Sequence, residues 1–182
     1  WEHETNLEAD EETFGAEHNP TGNPIGGGDG YADILTDGDF AVRSYEELRS
    51  VLTGAGAGQV VFVPSGAEID FSDREALDIP EGVTLASDRG RKGSSGGLLF
   101  SIPLITPGML RTAGDCARLT GLRMRGPYHD RERIAQGSSG FSTQHFAAEV
   151  DNCEISGFSN SATGFPAGAS RGYVHHNHIH HN

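Results

Sequence analysis

Cations are scarce in this chain. Lys and Arg total 13 against 26 Asp and Glu, which leaves a net charge of −13 over 182 residues. Phosphate contacts need clustered Lys and Arg, so nucleic acid is excluded as a partner. Lysine is scarcer still: Lys92 is the single one, and the other basic residues are arginine. An acidic, lysine-poor surface suits a secreted protein in salty surroundings; a GC-rich genome with an acidic tail gives the same composition. No run of about 18 apolar residues is present, so no membrane span is expected. No signal peptide is visible, and Trp1 as first residue points to a mature or trimmed chain. Cysteine is limited to Cys116 and Cys153, too few to fix a redox compartment. Cys153 falls on an inward position as a small apolar filler, and Cys116 lies six residues before Leu122, the residue that stacks on Cys153. The two do not obviously face each other, so no disulfide is expected.

Glycine is abundant. The 26 glycines are about twice the usual share of roughly 7%, and frequent tight corners account for them, since apolar clusters recur along the whole chain. Three stretches share one pattern: ARLTGLRMRG (117–126), AEVDNCEISG (148–157) and YVHHNHIHH (173–181). Each reads as a strand, a two-residue corner and a second strand. Aligned, Leu119, Val150 and Val174 form one inward column; Leu122, Cys153 and Asn177 form a second; Met124, Ile155 and Ile179 form a third. Gly121, Asn152 and His176 fall at the corner, and Gly, Asn and His are residue types that accept left-handed backbone. The intervals are 31 (150 minus 119) and 24 (174 minus 150). A fixed motif at variable intervals is what a solenoid gives, because each coil repeats its core and varies its loops.

This pattern, over roughly residues 39–182, resembles the right-handed parallel β-helix proteins of the pectate-lyase-like superfamily. The segment VRSYEELRSVLTGAGAGQVVFV, a helix followed by a strand, is similar to their N-terminal cap. The resemblance implies an all-β, right-handed parallel β-helix with a short capping α-helix, a polysaccharide or glycan partner, and a place outside the cell or on its surface. It does not fix an activity, because the same coil carries lyases, hydrolases, epimerases, tailspikes and surface proteins. The calcium-binding aspartates and catalytic arginine of pectate lyases have no residue-by-residue match here.

Residues 1–30 form an acidic leader followed by a Gly-rich linker, and 31–182 form the coil domain. The leader is an extended tail, or packs on the coil or on a neighbouring subunit through Trp1, Leu7 and Phe14. Ser44 with Glu47 gives a capping box, and Tyr45, Leu48, Val51 and Leu52 lie on one face, so a helix is expected over 44–52, stopped by Gly54. Val83 and Leu85 alternate with Thr84, and 98–105 is apolar enough to be buried. Two insertions, 87–97 and 126–144, are expected to interrupt the coils as long loops, where binding usually resides.

Four groups of residues could carry chemistry. Strand alternation points His178 and His180 outward, and the alignment places Arg123, Glu154 and His178 in one outward column, with Arg125, Ser156 and His180 in the next. Arg123, Glu154, His178 and His180 are the candidate catalytic set, for proton abstraction from a sugar acid with Arg holding the carboxylate. A plain ladder of complementary polar residues is the alternative. His175, His178 and His180 are the candidate metal ligands; the sequence fixes no cofactor, and calcium or a transition metal is the candidate ion. Arg89, Arg91 and Lys92 concentrate positive charge on the first insertion, and Arg125, Tyr128 and His129 complete the candidate substrate-binding set. The second insertion opens with YHDRER, which holds the residue types acid–base work needs. GASRG (168–172) matches G-x-S-x-G but lacks the strand-before, helix-after context that a serine hydrolase requires.

The expected function is carbohydrate engagement, as part of a polysaccharide lyase or hydrolase or as a binding module. The rivals are a non-catalytic, self-assembling surface or filament protein and a His-cluster metal protein. A cleft with paired carboxylates or an Arg/His pair would favour the enzyme. The sequence given stops at Asn182, directly after the strand VHHNHIHH, with nothing to cap the coil, so either a longer β-helix or a homo-oligomer closing the open C-terminal coil is expected.

Overall fold

The structure is a computed structural model that describes residues 33–91, 94–103, 108–128, 137–165 and 171–182. The acidic leader, Lys92, His129 and most of GASRG lie outside the described residues.

A short strand, β1 (Phe40–Ala41), precedes α1 (Tyr45–Gly54). Five coils follow. The first is β2 (Val60–Phe62), β3 (Glu68–Asp70) and β4 (Leu77–Ile79). The second is β5 (Thr84–Ala86), β6 (Leu98–Phe100) and β7 (Leu110–Thr112). The third is β8 (Arg118–Thr120), β9 (Arg123–Arg125) and β10 (Ser139–Ser142). The fourth is β11 (Glu149–Asp151), β12 (Glu154–Ser156) and β13 (Ser161–Gly164). The fifth holds β14 (Tyr173–His175) and β15 (His178–His180). β1 pairs with β2, and from β2 on every third strand pairs in parallel, giving sheet one (β1-β2-β5-β8-β11-β14), sheet two (β3-β6-β9-β12-β15) and sheet three (β4-β7-β10-β13). This is a right-handed parallel β-helix, the hand that parallel crossover connections take.

The registers match the sequence alignment at every position. Leu119, Val150 and Val174 pair in sheet one, and Met124, Ile155 and Ile179 in sheet two. Gly121, Asn152 and His176 sit at φ 67, 53 and 54°, one left-handed corner repeated in three coils. The strands of the coils, β2–β15, are three or four residues long, so these corners set the polygon. The core is a column of side chains inside it: Val61, Leu85, Leu119 and Val150 from sheet one, Ile69, Leu99, Met124 and Ile155 from sheet two, and Ile79, Leu110 and Phe141 from sheet three, all buried. Asn177 also enters the inner column, and replaces apolar stacking by hydrogen bonds. Its Oδ1 accepts from Cys153 N at 2.8 Å and its Nδ2 donates to Val150 O at 2.8 Å. Asn182 repeats the bracket one side further on, accepting from Phe158 N at 2.8 Å and donating to Ile155 O at 3.2 Å.

Helix α1 covers the first coil, burying Tyr45, Leu48 and Leu52. Tyr45 meets Phe71 edge-on at 5.2 Å and donates its hydroxyl to Glu75 O at 2.9 Å. Ser44 Oγ accepts from Glu47 N as expected, but Glu47 Oε2 accepts from Arg43 N at 2.7 Å rather than from Ser44, so the reciprocal half of the capping box shifts back one residue. Gly54 is the last helical residue and Ala55 the cap. Both cysteines are free thiols.

Three expectations need correction. The second insertion is shorter than 126–144, because 139–142 is strand β10 with Phe141 in the core. The apolar segment from Leu98 buries Leu98 and Leu99, but Ile102 is 63% exposed where the chain leaves the sheet. The first insertion is not a freely solvated loop around Arg89. Arg89 is 3% exposed; its N–H donates to Gly121 O at 3.1 Å and its carbonyl accepts from Asn152 Nδ2 at 2.7 Å. The chain from coil two thus folds across the corner of coil three to reach coil four. It fits because Gly121 has no side chain: a Cβ there would lie 2.0 Å from Ser87 O.

Candidate functional site

Sheet two carries the outward columns as aligned: Arg123–Glu154–His178 and Arg125–Ser156–His180 are cross-strand neighbours. The side chains do not close into a simple complementary ladder. Arg123 Nε donates to Gly96 O at 3.3 Å, and the Arg125 guanidinium lies over the Phe100 ring at 5.7 Å. Both arginines lean toward coil two, on the opposite side of β9 from Glu154. Glu154 turns to the histidines instead. Its Oε1 lies 3.4 Å from His180 Nε2. His178 and His180, two apart on β15, stack their rings with centroids at 4.0 Å and planes at 20°. His180 Nε2 is buried yet lacks a hydrogen bond of acceptable geometry, although the carboxylate is within ion-pair reach. A buried polar atom left so costs about 1–3 kcal/mol.

His175 is not part of this group. It belongs to β14 in sheet one, where its Nε2 lies 2.9 Å from Glu149 Oε1 and its Nδ1 2.9 Å from His176 Nδ1. The expected metal set of His175, His178 and His180 is therefore divided between two sheets, and Glu154 takes the third place: one ligand atom from each of Glu154, His178 and His180 lies within 4.8 Å of the others. Alternation predicted the His178/His180 pair but could not say which carboxylate would lean in.

Glu149 also lies 3.8 Å from Arg118 Nε, and Arg118 grips the fully buried Asp151 with two bonds of 2.9 Å. Thr120 Oγ1 donates to the same carboxylate at 2.9 Å. Burial, with repulsion from His175, lowers the His176 pKa against the opposing pull of Asp151. The network braces sheet one across three coils.

Of the expected substrate-binding residues, Arg91 is exposed, Arg125 is half-buried, and Arg89 and Tyr128 are buried, so the last two offer no side chain to an open surface.

Sheet three holds features that the sequence did not single out. Two adjoining recesses share Arg111. One, of about 360 Å³, is lined by Arg49, Glu75, Asp78 and Arg111 beside the end of α1. The other, of about 250 Å³, is lined by Arg111, Thr112, Ser142, Thr143, Gln144 and His145. Arg111 meets Asp78 side-on at 2.8 and 3.2 Å, and this pairing raises the guanidinium pKa. His145 Nδ1 lies 2.7 Å from Thr112 Oγ1, and Thr112 and Thr143 hydroxyls are 2.7 Å apart. A hydroxyl relay therefore fixes the imidazole. The only advance signal was the alternation Leu77-Asp78-Ile79 and Leu110-Arg111-Thr112, which points Asp78 and Arg111 outward in register.

Comparison with family models, with curated proteins and with solved structures finds no match to this chain.

Proposed function

We propose that the chain is a carbohydrate-engaging β-helix that works outside the cell, of pectate-lyase-like descent, and that its ligand lies along the sheet-three recesses. One observation carries this reading: Arg111 joins a recess holding Glu75 and Asp78 to a recess holding His145. Sugars are recognised by planar, bidentate polar groups, and carboxylate, guanidinium, amide and hydroxyl all line this groove. An acidic sugar would pair its carboxylate with Arg111, in competition with Asp78. His145, oriented through Nδ1 by Thr112, would exchange a proton at Nε2, as general acid–base work on a uronate requires. The exposed Arg91 would extend the binding surface. A neutral glycan bound without turnover would make the same groove a binding module.

The test is a panel of polyuronates and neutral glycans, read by calorimetry, unsaturated-product absorbance and reducing ends. Arg111→Ala and His145→Ala should each weaken binding or turnover at least tenfold while circular dichroism stays unchanged. A wild-type protein that binds no member of the panel overturns the reading.

A second reading, assembly, rests on the fifth coil. Val174 and Ile179 are each 42% exposed, where their partners Val150 and Ile155 are fully buried. Another coil or a neighbouring copy would bury them. Sedimentation velocity on the 182-residue chain distinguishes the cases, and a concentration-independent monomer removes the self-assembly reading.

A further inference from the structure

We infer that Glu154, His178 and His180 form a binding site for one divalent transition-metal ion, of which Zn²⁺ is the type. The inference uses sheet two and is independent of the glycan reading, which uses sheet three.

Three observations carry it. First, topology brings the ligands together from two coils. Glu154 and His178 are direct cross-strand partners, and His180 is the next residue on the same face of β15. Their three ligand atoms already lie within 4.8 Å of one another. Bonds of about 2.0–2.2 Å in a tetrahedral site place donors about 3.3 Å apart, so side-chain rotation of about 1.5 Å at most closes the set. Second, His180 Nε2 is buried without a hydrogen bond, 3.4 Å from Glu154 Oε1. A cation between these atoms would satisfy both. Third, the neighbouring cations are directed elsewhere. Arg123 bonds Gly96 O and Arg125 covers Phe100, both on the coil-two side of β9. The carboxylate side of the cluster is thus left to the histidines.

The donor set selects the ion. Two imidazoles and one carboxylate suit Zn²⁺, Co²⁺, Ni²⁺ or Cu²⁺, whereas calcium takes six to eight oxygens. Three protein ligands leave a fourth tetrahedral position for water or another ligand.

Untagged, chelator-dialysed protein would be titrated with Zn²⁺ by calorimetry and with Co²⁺ by visible absorption. We expect one ion per chain and a tetrahedral Co²⁺ spectrum that Zn²⁺ abolishes. Glu154→Gln, His178→Gln and His180→Gln should each weaken Zn²⁺ binding at least tenfold. His175→Gln should change it less than twofold, because His175 bonds Glu149 on sheet one. Affinity should fall in acid, where protons compete for the imidazoles. The wild-type Co²⁺ titration needs no substitution, so a variant that fails to fold does not blunt the test. Absence of saturable Zn²⁺ binding, an octahedral Co²⁺ spectrum, a His175→Gln loss as large as that of His180→Gln, or Ca²⁺ displacing Zn²⁺ at equal concentration would each overturn the proposal.

Discussion

Replacing Asn152 tests how the coils are held in register. Asn152 is fully buried at φ 53°, and its Nδ2 donates 2.7 Å to Arg89 O, two coils away in the stack. Asn152→Ala removes that donor from a buried carbonyl's surroundings, at about 1–3 kcal/mol. It also places a residue without a side-chain amide in left-handed backbone, where the steric penalty is about 1–2 kcal/mol. Together these give a loss of about 2–5 kcal/mol. Asn152→Gly separates the two effects. It loses the same hydrogen bond but accepts positive φ, so it should fall between wild type and Asn152→Ala, by about 1 kcal/mol from the latter. Equilibrium urea unfolding followed by far-ultraviolet circular dichroism measures both. The effect should also be regional, since a solenoid couples nearest neighbours, and amide exchange should rise around 87–91 and 118–125. Asn152→Ala within about 0.5 kcal/mol of wild type, or Asn152→Gly below Asn152→Ala, would show that the corner column does not hold the insertion in place.

Four further outcomes follow from the same geometry. Gly121→Ala would put a Cβ 2.0 Å from Ser87 O at φ 67°, so it should cost about 3 kcal/mol or more and free the first insertion, read as new protease cleavage near 87–97. Asp151→Ala should cost about 3 kcal/mol in urea unfolding, the low end for a broken buried pair, because Arg118 is partly solvated; a loss under about 1 kcal/mol contradicts this. Burial pushes the Cys153 thiol up to about 12, while Cys116 is exposed, so an aromatic disulfide reagent at pH 8 should titrate one thiol per native chain and two in denaturant. Two fast native thiols would contradict the buried placement. His176 holds its proton less tightly when folded than unfolded, so its contribution is complete above the unfolded value of about 6.5 and is lost as pH falls through the folded one. His176→Asn, the residue used at the same corner by Asn152, should flatten the fall in Tm from pH 7 to about 5; an unchanged slope sinks the assignment.

The sheet-two and sheet-three sites differ in how they could be found. His178 and His180 are two apart on one strand, so alternation alone fixes their common face. Glu154 was placed beside them by the coil alignment, but whether it would pair with Arg123 or with His180 depended on where the arginines went. Phe100 and Gly96, from coil two, draw the arginines away. Asp78, Arg111 and His145 carry no shared motif, and they converge only because coils one, two and three stack β4, β7 and β10.

What the sequence determined by itself was the repeating unit. Inward apolar columns, left-handed corners at Gly121, Asn152 and His176, and the amphipathic helix from Ser44 are properties of neighbouring residues, set by side-chain alternation and by φ/ψ sterics. They sufficed for the architecture and the register of three coils. Only the tertiary structure decided what fills the space between coils. Arg89 belongs to a charged, glycine-rich segment that reads as solvated, yet it is buried because the bare Gly121 leaves room and Asn152, more than sixty residues later, offers a donor. His175 and His178 are close neighbours in sequence but lie on different sheets, because the corner at His176 turns the chain between them. Loop lengths vary from coil to coil, so the side chains that meet across the stack are chosen by the packing of distant segments and not by any local pattern.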